Sequence, residues 1–175
     1  MIYTILSRFD SMHGPKIFLR LPKSPNPCHL EHVPLLMDLY TEGFFVHEMG
    51  PLKTANHIFE ISSPVARGRK EMVMLSIVSF NEEYNMHMGS FREIIDFFVD
   101  RLGDVDDLYK GFYDDSASGK FKQISVLFSG FHQAYLKQLR QERSKILSYG
   151  LSQSGRENVK DLLKQNNIAP KTSLY

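Results

Sequence analysis

The chain contains one cysteine, Cys28, so no disulfide can form within it and no covalent staple supports the fold. Charge of one sign is also missing: 21 Lys and Arg stand against 20 Asp and Glu, a formal net charge of +1. No whole-chain field exists of the kind that gathers nucleic acid or an anionic membrane, so such a partner would need a local patch. Long apolar runs are absent as well. The longest, such as residues 72–78, are strand-sized and far short of the roughly 20 residues that span a bilayer. The first residues lack the basic, then apolar, then small pattern of a secretory leader. These absences predict a soluble chain in a reducing, cytoplasmic setting. What is present is material for one core, because 175 residues that are 42% hydrophobic and 12% aromatic predict a single globular domain.

Chemistry-bearing motifs are sparse. Cys28-His29-Leu30-Glu31-His32 holds a thiol and two imidazoles as potential metal ligands, but a structural zinc site normally needs four ligands, commonly with paired cysteines, and no second cysteine is available. The expectation is a capped helix entrance, with no metal and no cofactor. His13, His47, His57, His87 and His132 are scattered and no serine or cysteine nucleophile motif accompanies them, so they are expected on the surface and at strand edges. Ala66-Arg67-Gly68-Arg69-Lys70 is basic but lacks the glycine-lysine-serine or threonine pattern that cradles phosphates. Arg67, Arg69 and Lys70 instead offer a local contact for an acidic partner or anionic lipid. Asp104, Asp106 and Asp107 lack the spacing and glycine of a calcium loop.

Apolar periodicity sets the order of elements. Residues 2–9 and 16–21 are apolar runs separated by a polar segment ending in Gly14-Pro15, which predicts a β-hairpin. Pro22, Pro25 and Pro27 make a loop. A helix is predicted next, with Pro34 in its first turn, Leu35, Leu36, Leu39 and Tyr40 at helical spacing, and Gly43 as its stop. Strands follow at 44–47, at 57–62, and at 72–80, where the nearly unbroken apolar run predicts a strand covered on both faces. Ser90-Phe91-Arg92-Glu93 reads as a capping box, and Phe91, Ile94, Ile95, Phe98 and Leu102 form one stripe ending at Gly103. The acidic stretch 104–115 is expected to hold one short helical turn. A long helix then carries Phe121, Ile124, Phe128, Phe131 and Tyr135 at spacings of three and four, as a cover for the sheet. After Gly150 a second capping box, Ser154-Gly155-Arg156-Glu157, precedes a small amphipathic stripe of Val159, Leu162, Leu163 and Ile168.

The opening carries a resemblance. Phe9-Asp10, a short gap, Gly14-Pro15-Lys16, an apolar strand and Pro22 resemble the start of longin-type modules, including the amino-terminal parts of the DENN, folliculin and nitrogen-permease-regulator-like families. With the element order over residues 1–149, the chain is similar to a longin domain of the longin/roadblock superfamily. The resemblance implies an α+β fold whose five-stranded, antiparallel-rich sheet has the order 2-1-5-4-3. One helix lies on one side and two C-terminal helices on the other, and residues 150–175 add a tail with a short helix. It places the first and fifth strands centrally, and those are the two most apolar strands here. Phe9, Asp10, Gly14 and Pro15 are then a structural turn.

What the resemblance implies for function is a non-catalytic interaction module. Its expected partner is a small GTPase or another longin or roadblock protein, with homodimerisation and peripheral membrane association through partners as further expectations. The candidate contacts are Lys16, Phe18 and Arg20 on the hairpin's second strand, Phe44 and Phe45 on the other edge, and Arg67, Arg69 and Lys70 in the basic loop. Two alternatives belong to other classes: a lipid adaptor using that basic loop with the tail helix, and a small cytosolic enzyme with a histidine-containing cleft.

Overall fold

The computed structural model describes residues 2–23, 29–66, 68–80, 88–113 and 119–165. Five strands, β1 (Ile2–Asp10), β2 (Gly14–Leu21), β3 (Gly43–Met49), β4 (Leu52–Ser62) and β5 (Lys70–Ser79), form one sheet. Its order is β2-β1-β5-β4-β3 and every neighbouring pair is antiparallel. A 3-10 helix (Leu30–Asp38) precedes β3, and α1 (Met88–Gly103), α2 (Lys110–Tyr113) and α3 (Gly119–Gln165) follow β5. The architecture is α+β, with the expected strand order.

The central strands are central because they can be covered twice. Tyr3 and Ile5 of β1, Met74 and Val78 of β5 and Ile58 of β4 pack with Leu30, Val33, Leu36 and Met37 of the 3-10 helix. Side chains alternate along a strand, so Thr4 and its register partner Ile77 face the other way. There Thr4 Oγ1 meets His132 Nδ1 of α3 at 3.0 Å, Phe44 of β3 meets Phe91 of α1, and Phe98 of α1 packs on Phe131 of α3. Burial lowers the pKa of the His132 ring, which favours the neutral imidazole.

The first helix is 3-10 and not α. Its buried residues fall in two rows of three-residue spacing, Leu30, Val33 and Leu36 beside Pro34 and Met37, with His32, Leu35 and Asp38 exposed between them, matching three residues per turn. Pro34 sits inside it and not in its first turn, and the missing N–H there favours a tighter, short element. Leu35 and Leu39, expected on the inner face, are exposed. Gly43 begins β3 at a φ of 121° instead of stopping the helix. Strand β4 starts at Leu52, five residues earlier than predicted, because the hairpin around Gly50-Pro51 pairs Met49 directly with Leu52. Helix α1 begins at Met88, two residues before Ser90. The short turn expected in the acidic stretch is α2.

The chain divides into two compact units, Met1–Tyr135 and Leu136–Tyr175. The first holds the sheet and the helices on both its faces. The second is helical through Gln165.

Candidate interaction surface

The hairpin turn is built around Asp10. Its Oδ1 accepts the backbone N–H of Met12 at 3.0 Å and of His13 at 3.1 Å, while Oδ2 accepts from Arg8 Nη2 at 3.3 Å and from Lys16 Nζ. An aspartate that bonds the backbone two residues on closes the loop without a ladder, and Gly14 at a φ of 75° returns the chain into β2. The Lys16 ammonium, and next the Met12 N–H, hold the Asp10 carboxyl well below the usual carboxylate range. A folded pKa below the unfolded one gives stability that is present at neutral pH and lost as pH falls through the folded value. Thermal melts should therefore show wild type losing stability below about pH 4, with Asp10→Asn less stable at pH 7 and flatter on acidification.

A second cluster ties this hairpin to the helices. The Arg8 guanidinium lies 5.1 Å from the centre of the Tyr113 ring, and the Tyr113 hydroxyl donates to Glu71 Oε1. Ser63 Oγ donates to the same oxygen at 3.0 Å. Burial, and then the bond to Glu71, push the Tyr113 hydroxyl up to about 12. The network joins β1, β5 and α2 and is structural in character.

The two outer strands differ. On β2, Pro15 has no N–H to offer, the register against β1 shifts between Leu6 and Ser7, and Lys16 and Arg20 add charge. These are devices that blunt an edge against pairing. Phe18 turns inward, its ring 4.6 Å from Phe112 and 5.6 Å from Phe121. Strand β3 lacks the proline and the bulge: it pairs with β4 in unbroken register from Gly43 to Met49, and its one carboxylate, Glu48, pairs with Lys53 of β4 at 2.8 Å. Phe44 packs on Phe91 at 5.5 Å, and Phe45 stacks on Tyr40 at 3.8 Å. Tyr40 in turn bonds His47 Nδ1 at 2.9 Å. Both phenylalanines therefore fix the strand from opposite faces, and among the described residues no strand pairs with its outer row of backbone groups, beside the exposed Val46.

The candidate residues do not form one surface. Lys16, Phe18 and Arg20 lie on one edge and Phe44 and Phe45 on the other, four strand spacings or about 19 Å apart. At the start of β5 Lys70 pairs with Glu60 across the strands, and Arg69 in the loop before it takes a φ of 60°. Arg67 lies outside the described residues. Phe9, Asp10, Gly14 and Pro15 are together in the turn, as Asp10 pairs with Gly14 and Phe9 with Pro15. Tyr40 and His47, which hold β3 from one side, carried no motif in the sequence. Their only signal was the pairing of an aromatic near a helix end with an aromatic strand.

Among the described residues His13, His47, His57 and His132 do not converge, although the His29 and His32 rings lie 6.0 Å apart. His13 lies at the turn, His47 and His57 point to opposite faces of the sheet, and His132 meets Thr4. His87 and Cys28 lie outside the described residues. Among the described residues no three His, Cys, Asp or Glu side chains gather to hold a metal ion. No helix among them is long and apolar enough to cross a membrane. Neither the models of known protein families nor the curated proteins contain a match to this sequence.

Proposed function

We propose that the protein is a non-catalytic interaction module that binds a small GTPase, or serves as a subunit of a GTPase-regulating complex in membrane traffic or signalling. The outer edge of β3 is the surface that pairs with the partner. The observation that carries this reading is the contrast between the edges: β2 is blunted by proline, bulge and charge, while β3 offers seven residues in regular register. An added strand gains affinity from main-chain hydrogen bonds and specificity from alternate side chains. The partner class rests on the likeness of residues 1–149 to longin and roadblock domains. Another such subunit would use the same pairing, and any membrane association would run through the partner.

The test is a titration of the full chain with small GTPases loaded with GDP or GTP, and with longin or roadblock subunits. Val46→Lys places a charge on the open edge and is expected to weaken binding about tenfold or more. Lys16→Ala on β2 should leave it unchanged. A folded Val46→Lys variant that binds as well as wild type, or failure of every partner to bind, would overturn the reading.

A further inference from the structure

Helices α1 and α3 touch through Phe98 and Phe131 but leave a groove between their outer sides. It encloses about 340 Å³, with Phe97 of α1 and Val126 of α3 as its walls. The two wall residues are 66% and 63% exposed, and large apolar side chains this bare beside one another mark an interaction surface. Gly130 and Ala134 line the α3 side, and a Cβ at Gly130 would meet nothing within 4 Å, so the missing side chain deepens the groove. A hollow of about 590 Å³ continues it past Arg101 and Leu127 to Gly119. Along α3 the combined lining runs from Gly119 to Ala134, about 22 Å or four helical turns.

The two rims differ in charge. On α1, Glu93, Phe97, Asp100 and Asp104 follow at spacings of four, three and four, which sets three exposed carboxylates in line with the exposed ring. Asp104 continues the last turn, its N–H bonded to the Asp100 carbonyl at 3.1 Å. Arg101 is the cation among them, and it is held locally, 6.0 Å from the centre of the Phe97 ring and 3.8 Å from Asp104. Arg92 and Asp96 belong to the other side of α1, where both act on His57 of β4 with opposite sign. On α3, Gln123, Ser129 and Gln133 are exposed and uncharged, and Lys122 stands in the hollow.

An apolar trough with one acidic rim selects its occupant. Three carboxylates repel an anionic membrane and an acidic peptide alike. An extended strand would lay unpaired backbone groups on apolar side chains, at a cost for each. A helix has its backbone bonds satisfied within itself, and a groove between two helices admits its apolar stripe, read as anchors at i, i+3 or i+4, and i+7.

We propose that the groove between α1 and α3 binds an amphipathic helix of a partner protein. The apolar stripe of that helix covers Phe97 and Val126. Its flank toward α1 carries Lys or Arg at spacings of seven and four, opposite Glu93, Asp100 and Asp104. The surface is separate from the β3 edge, and the proposal stands whether or not that edge binds.

The test uses two synthetic peptides of about four helical turns, with leucine at helical spacing and either lysine or glutamate elsewhere. Each is titrated into the full chain by fluorescence anisotropy across a salt series. The leucine-lysine peptide is expected to bind about tenfold or more tighter than its glutamate counterpart, and less tightly as salt is added. Gly130→Leu fills the groove without a clash and suits a helix better than glycine, so it should keep its melting temperature and weaken that peptide about tenfold or more. The variant E93K/D100K leaves the apolar walls in place and should reverse the preference between the peptides. Failure of the leucine-lysine peptide to bind, equal binding of both peptides, binding that a folded Gly130→Leu variant leaves unchanged, or a preference that E93K/D100K does not reverse would overturn the proposal. So would a dimer of the full chain that Gly130→Leu disperses, which would seat a second copy in the groove.

Discussion

Replacing Phe128 with alanine is expected to lower the stability of the chain by about 3–5 kcal/mol. Phe128 is 1% exposed and sits in the middle of the stripe from Phe121 to Tyr135 that covers the sheet. Its removal forfeits the transfer free energy of a whole ring and leaves a cavity that rigid strands on one side cannot close. For a chain of this size the loss corresponds to a fall in Tm of about 6–20 °C. Val126, two residues earlier on the same helix, is the control: it is largely exposed, and Val126→Ala in dilute protein should stay within about 0.5 kcal/mol. Denaturant titration of the two variants checks the helical phase directly. Equal losses would mean that α3 presents a different face to the sheet.

Gly14→Val is expected to cost about 1–3 kcal/mol, with His13→Ala close to neutral. Gly14 has a φ of 75°, where a β-branched residue is strained, and nothing lies within 4 Å of the position its Cβ would take. The cost is therefore conformational and not a clash. Asparagine tolerates this region, so Gly14→Asn should recover most of the loss. The His13 side chain is exposed, and its backbone N–H would still reach Asp10 in the alanine variant. Melts that rank His13→Ala below Gly14→Val in stability would contradict the hairpin geometry.

Much of the sheet was legible because the two faces of a central strand leave a plain trace. The apolar runs in β1 and β5 marked the strands that are covered twice, and Gly14-Pro15 marked the turn between β1 and β2. The first helix is misread from the sequence because Leu35, Leu36, Leu39 and Tyr40 fit a period of 3.6, whereas the exposed His32, Leu35 and Asp38 between the buried Leu30, Val33, Pro34, Leu36 and Met37 repeat every three. Short apolar segments satisfy both periods, and only the packing decides. Strand β4 was underestimated because Thr54 and Asn56 are polar yet fully buried, and a polar residue in a covered strand looks like a loop. The candidate surface was legible only in part. Phe18 and Phe44 look alike as aromatic residues on outer strands, and both turn out to pack against helices. Beyond Pro15, Lys16 and Arg20, what distinguishes the two edges is the backbone, through the bulge in β2 and the unbroken register of β3, and no residue type announces that.

Hydrogen–deuterium exchange of the β3 amides, read in the free chain and again with a nucleotide-loaded small GTPase, tests the central claim most directly. Exchange is expected to slow across residues 43–49 when the partner adds to the edge, while residues 15–21 of β2 keep their rates. Unchanged exchange in β3 with every GTPase and nucleotide, or protection that falls on β2 instead, would contradict it.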